Sequence, residues 1–197
     1  RIATAAAKAD RLPLYERLAE VHEQQSALSA SLDVLITAAG EFPTELRVWD
    51  RLGDLAARTQ RTQALVDALT VAVPKEGPSS LPVELELDLA ERIASLYDEG
   101  LSEPESARPY LERILRADPK NERAFTRLRQ VLSNGEKWTE LEAAYEPVIA
   151  ASEGESRAGL LADVAILVEE IMGEPARAVA YYERILEEFP QHPQAVP

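Results

Sequence analysis

The sequence predicts an all-α protein, an α-solenoid of about five antiparallel helix pairs. Three observations carry this. Apolar residues recur at helical spacing along nearly the whole chain. Two segments 71 residues apart (190 − 119) are near copies, "EPESARPYLERILRADP" at 103–119 and "EPARAVAYYERILEEFP" at 174–190. The periodic segments also fall into pairs that recur in phase, which is the signature of a repeat architecture.

Each pair has a first helix with a bulky residue, a leucine three positions on, and a small residue next. "YERLAEVHEQQ" presents Tyr15, Leu18 and Ala19, and "WDRLGDLAART" presents Trp49, Leu52 and Gly53. "FTRLRQVL" presents Phe125 and Leu128, while "AERIASLYDEG" and "ADVAILVEEIMG" hold the same place before the two near copies. The second helices are "SALSASLDVLITAAGEFP", "RTQALVDALTVAVP", the two near copies, and "WTELEAAYEPVIAAS". The small residues Ala19 and Gly53 read as notches that let the second helix approach closely.

Aligned on these features, repeats start near Leu12, Leu46, Asp88, Glu122 and Gly159, at steps of 34, 42, 34 and 37 residues (46 − 12, 88 − 46, 122 − 88, 159 − 122). The expected organisation is 12–45, 46–79, 88–121, 122–158 and 159–192 in one continuous domain, with 1–11 as the end of a preceding helix. The long step has a visible cause in "PKEGPSSLP", a Pro/Gly/Ser loop at 74–82. Pro104 and Pro175 are expected at helix starts, where a missing N–H costs nothing. Pro147 lies inside its helix and predicts a bend, and Pro109 fits either a helix start or a kink. The chain opens on Arg1 rather than Met and its ends show no polar cap, so it is expected to be a piece of a longer array.

These residues resemble the tetratricopeptide repeat family, whose motif runs W-x2-L-G-x2-Y, then A-x3-F, then P, with a period of 34. Trp49, Leu52 and Gly53 match its first half, with Ala56 where the motif has Tyr. Ala178, Tyr182 and Pro190 match its second half, as do Ala107, Leu111 and Pro119. Glu91 and Ala162 depart from it at the bulky first position. The resemblance covers residues 12–192 and implies a right-handed superhelix whose concave face is lined by the first helices.

Composition narrows the function. The 197 residues include 35 Asp and Glu against 21 Lys and Arg, a formal net charge of −14. That sign disfavours nucleic acid, whose binding draws its affinity from Lys and Arg, and anionic membrane surfaces as well. With no cysteine, disulfides and thiolate catalysis are excluded. No apolar run reaches membrane-spanning length. The Ala/Leu/Arg/Glu-rich composition points to a bacterial source, and with no signal-peptide pattern at the start the cytoplasm is favoured, an upstream targeting segment being left open.

Catalytic or cofactor chemistry has little to stand on. His22 and His192 are the only histidines and lack partners for a metal site or a triad. Glu169–Glu170 and Glu187–Glu188 are adjacent on helices and so point apart. "SNGEK" lacks the GK[ST] of a phosphate loop. No enzyme activity, cofactor or metal is expected, and Trp49 and Trp138 read as core.

What the resemblance implies is a peptide or partner protein in the groove. The first-helix face offers Arg47, Arg51, Arg92, Arg123 and Arg127, with Glu16 and Glu20 from repeat one. The competing account of the arginines is local pairing, Arg47 with Asp50 and Arg51 with Asp54. Arg123 and Arg127 resemble the last pair of the clamp that chaperone-tail-binding members use, but Glu16 and Glu20 stand where its first-repeat cations belong, so that clamp is not expected. The alternatives are a spacer in a longer array with no groove ligand, and a regulatory arm of an enzyme. Self-association through the end repeats is a further partner option.

Overall fold

The computed structural model describes residues 8–188. They form ten α-helices, with no strand among the described residues. In order these are α1 (Lys8–Gln24), α2 (Leu28–Glu41), α3 (Leu46–Thr59), α4 (Thr62–Ala72), α5 (Val83–Ser95), α6 (Pro104–Ala117), α7 (Glu122–Asn134), α8 (Trp138–Ala151), α9 (Gly154–Ile166) and α10 (Pro175–Glu188). A π-helical turn extends α5 over Leu96–Gly100 and another extends α9 over Leu167–Ile171. The chain, expected as one continuous domain, groups into two compact units that divide between Tyr110 and Leu111, inside α6.

In the first unit, α1 and α2 meet where the notch was expected. Ala19 is fully buried, and the buried Ser31 hydroxyl donates to its carbonyl at 3.0 Å. At the far end of the pair the Tyr15 hydroxyl donates to Glu41 at 3.0 Å, and Arg11 pairs with the same carboxylate at 3.2 Å. Trp49 is buried in α3 and its indole N–H donates to the Pro43 carbonyl at 2.9 Å. In the second unit Phe125 and Tyr145 pack edge to face, 4.9 Å between ring centroids, with the Arg129 guanidinium over both rings.

The expected notch at Gly53 is not a tight contact. A Cβ added there would meet no atom within 4 Å. Leu65 and Leu69 of α4 border an open recess beside the glycine. A Cβ at position 53, as in Gly53→Ala, therefore overpacks nothing in this structure.

The helices begin earlier than the alignment placed three of the repeats. Lys8–Arg11 form the first turn of α1 rather than the end of a preceding helix, with residues 1–7 outside the described residues. α5 starts at Val83 rather than Asp88, and α9 at Gly154 rather than Gly159. Pro82 ends the loop and its carbonyl accepts the first helical bond, from Glu86, so the helix begins at once. Gly154, at positive φ, turns the chain directly into α9.

Five residues at the turns between first and second helices take the left-handed conformation: Ser26, Gln60, Ser102, Glu136 and Gly173. Each lies 14 residues after one of the aligned starts (26 − 12 for the first). In three of them the next N–H bonds five residues back, as Ala27 does to His22 at 2.8 Å, Arg61 to Ala56 at 2.9 Å, and Lys137 to Leu132 at 2.9 Å. At the two π turns it bonds six back, Glu103 to Tyr97 at 2.7 Å and Glu174 to Val168 at 2.9 Å. These bonds satisfy the terminal carbonyls of the first helix.

The near copies are therefore structural. A π turn, a left-handed residue and a Glu-Pro helix start recur 71 residues apart (173 − 102). A left-handed backbone costs a non-glycine residue about 1 kcal/mol. Gly173→Ala is expected to lower stability by about that much, and Ser102→Gly to raise it by a little less. Urea denaturation of the two variants checks the opposite signs.

Pro104 and Pro175 are the first residues of α6 and α10. Pro109 lies inside α6 and Pro147 inside α8, which runs unbroken. Pro147 and Ala143 are both exposed, so the carbonyl that loses its donor lies on the water side. The 74–82 loop leaves Lys75, Glu76, Gly77 and Pro78 exposed, Gly77 at positive φ, and is tied down by buried Leu81 and the Ser79 hydroxyl, which bonds to the Ala72 carbonyl. Limited trypsin digestion is expected to cut first after Lys75 among sites in residues 8–188. A first cut inside α7–α10 would contradict this.

Candidate functional site

In the first unit charged side chains bridge α1 to α3 and α3 to α5. Arg47 of α3 reaches Glu16 of α1 at 3.2 Å and also Glu45 at 3.5 Å. Arg51 grips Glu23 of α1 through Nε (3.2 Å) and Nη2. Arg58 lies 3.6 Å from the same carboxylate, and Ser31 donates to it at 3.3 Å. Arg92 of α5 meets Asp50 of α3 at 2.7 Å and Asp88 of its own helix at 2.8 Å.

This differs from the local pairing that sequence spacing suggested. Arg47 and Asp50 find partners on neighbouring first helices, and Arg51 turns to α1 rather than to Asp54. The reason is geometric. The side chains that face an adjacent helix meet its carboxylates directly, and a charge-assisted contact such as that of Arg51, with two N–H groups on one Glu23 oxygen, outweighs a weak same-helix contact. The Arg51 contact holds the Glu23 carboxyl below its ordinary range, against the opposing effect of burial. With the pKa lowered, its stabilising contribution is present above the unfolded carboxylate pKa near 4.3 and is lost as pH falls through the lowered folded value.

Glu20 pairs within its own helix, with Arg17 at 2.9 Å. Arg123 is exposed and Arg127 half-buried, one turn apart on α7 in the second unit. A similar ladder runs there between second helices. Arg177 and Arg184 of α10 meet Glu142 and Glu146 of α8, the latter at 3.1 Å, and the Tyr181 hydroxyl donates to Glu142 at 2.9 Å. Glu142 is buried. Neither its burial nor its partners had a sequence signal beyond the apolar spacing around it.

His22 is half-buried on α1, and among the described residues no group of His, Asp or Glu is arranged to hold a metal. His192 lies outside the described residues. Glu169 accepts from the Tyr182 hydroxyl at 2.7 Å and Glu188 pairs with Arg157 at 2.6 Å. Trp138 is half-buried and lines an open recess with Ile171 and Met172, whereas the sequence placed it in the core. Among the described residues no helix is long and apolar enough to cross a membrane.

Paired helices recurring in phase, with first helices that share a charged face, define a helical repeat protein. Residues 165–192 match the family described as tetratricopeptide repeat. Over that segment the chain is similar to tetratricopeptide repeat proteins.

Several solved structures align with the chain. YrrB, described as a TPR protein with an unusual peptide-binding site, aligns at TM-score 0.42 and 15% identity over 92% of this chain and 88% of its own. MamA from Desulfovibrio magneticus RS-1 aligns at 0.43 and 14% over 95% and 99%. A tetratricopeptide repeat protein from Parabacteroides merdae ATCC 43184 aligns at 0.41 and 18% over 90% and 65%. No curated protein matches the chain.

Proposed function

We propose that this chain is a protein-interaction scaffold that holds a peptide or an extended segment of a partner protein along the face its first helices share. The supporting observation is the continuity of that face in the first unit, where Arg47–Glu16, Arg51–Glu23 and Arg92–Asp50 join α1, α3 and α5. A ligand lying across such a face meets charges of both signs at regular intervals. Glu16 and Glu20 are the proposed partners of basic groups of a ligand in the first unit, and Arg123 and Arg127 on α7, taken by themselves in the second unit, those of acidic groups, through the bidentate fork that suits carboxylates. Arg47, Arg51 and Arg92 keep their carboxylates and hold the face together. Rim charges of this kind govern association rate and salt sensitivity more than affinity.

The same ion pairs favour a second account, a spacer in a longer array, because they give the arginines of the first unit a purely internal role. Panning a random dodecapeptide library on the chain separates the two. The scaffold reading expects enriched peptides that compete with one another and bind more weakly in salt. Arg123→Glu combined with Arg127→Glu should weaken them at least fivefold, with helicity and melting unchanged. A library that yields no binder favours the spacer.

A further inference from the structure

We propose that the recess beside Gly53 is an anchor pocket for one apolar side chain of a bound peptide, in a segment that carries Lys or Arg next to that side chain. This rests on the peptide-binding function above and specifies what the ligand presents. Gly53 lies in the interior of α3, where glycine weakens a helix, and close packing does not account for it, since an added Cβ would touch nothing. What the missing side chain leaves is a recess of about 280 Å³, walled by Trp49, Leu65, Leu69 and Leu96 with Arg92 beside them. Trp49 and Leu69 are buried, so these walls are fixed by the core.

Size selects the occupant. An apolar cavity of about 150 Å³ already accepts a benzene ring, and sites for small molecules begin near 300 Å³. The recess therefore suits a single Leu, Ile, Met or Phe side chain rather than a cofactor. One buried apolar anchor inside a polar rim is the arrangement in which interfaces concentrate their binding energy.

Charge selects the flank. Arg92 is held by Asp50 and Asp88, two carboxylates to one guanidinium. This rim repels an acidic residue beside the anchor and attracts a basic one. Arg92 uses Nε and one Nη1 proton on its carboxylates, and its remaining N–H groups suit a neutral peptide carbonyl.

The test uses the full chain and the dodecapeptide library. The enriched sequences are expected to share one Leu, Ile, Met or Phe flanked by Lys or Arg. In a Trp138→Phe background Trp49 is the sole indole, and a synthetic peptide of that sequence should change its emission on binding. Gly53→Leu should fill the recess and weaken binding at least tenfold while the circular dichroism spectrum is kept. Gly53→Ala should weaken it less than threefold, and if the leucine variant fails to fold, Gly53→Val should fall between. Affinity that is flat across the series overturns the pocket, as do enriched peptides that are acidic or lack the apolar position. Peptides weakened by the Arg123/Arg127 double variant but not by Gly53→Leu would leave the binding face standing without the pocket. A library with no binder overturns both.

Discussion

Trp49→Ala is expected to destabilise the first unit by about 3–5 kcal/mol, the range for removing a large aromatic from a core. The indole is 2% exposed, and its N–H donates to the Pro43 carbonyl at the end of the preceding repeat. Truncation therefore removes both apolar burial and a bond that fixes the turn into α3. The site cannot readily collapse to compensate, because the ring already borders the recess left by Gly53 and its loss would enlarge that space. Trp49→Phe keeps most of the apolar surface and forfeits the hydrogen bond, which is worth about 1 kcal/mol. Urea denaturation followed at 222 nm should rank wild type above Trp49→Phe above Trp49→Ala. Repeat stability is largely a sum of nearest-neighbour terms, so the alanine variant should lose part of its helical signal early rather than shift one cooperative transition. An alanine variant within 1 kcal/mol of wild type would show that Trp49 contributes little to the core.

The helix pairs were legible in the sequence because burial on one face imposes its period on the residues. Tyr15 and Ala19, Trp49 and Leu52, and Phe125 and Leu128 are all buried as that period requires. Phase was legible because each first helix ends in a left-handed turn at a constant distance from its aligned start. Helix starts were less so. Val83 and Gly154 begin helices five residues ahead of the aligned positions (88 − 83, 159 − 154), since Gly154–Arg157 carry no apolar residue and Val83, Leu85 and Leu87 alternate with glutamates instead of recurring at helical spacing. Gly53 misled because a glycine at the notch position marks either close approach or empty space, and which one depends on residues from other helices, here those lining the recess.

The arginines were found as a set but their partners were not. Glu23 lies 28 residues from Arg51, and Asp50 lies 42 from Arg92 (92 − 50). Only the stacking of neighbouring repeats brings such residues together, and nothing local in the sequence encodes it. The π turns behaved similarly. No single residue announces one, yet the duplicated segments carried the information, because whatever shapes the first copy recurs in the second.

Alkaline conditions should expose the tyrosines. Burial pushes the Tyr145 hydroxyl up to about 12, with Asp163 adding to the rise and Arg129 opposing it. Tyr181 is also pushed up to about 12, by burial first and then by its hydrogen bond to Glu142. A folded pKa above the unfolded value near 10 means that the folded state holds the proton longer. Stability is then full below pH about 10 and is lost as pH rises through about 12. Tyr145 is buried, so this loss should be readable at the top of that window. Tyr145→Phe keeps the ring against Phe125 and removes the titration. The variant should resemble wild type in urea at pH 8 and gain on it steadily between pH 10 and 12. Tyr181→Phe should gain less, because it also gives up the bond to Glu142. Equal slopes for wild type and Tyr145→Phe across that window would mean that the Tyr145 hydroxyl reaches water in the folded state.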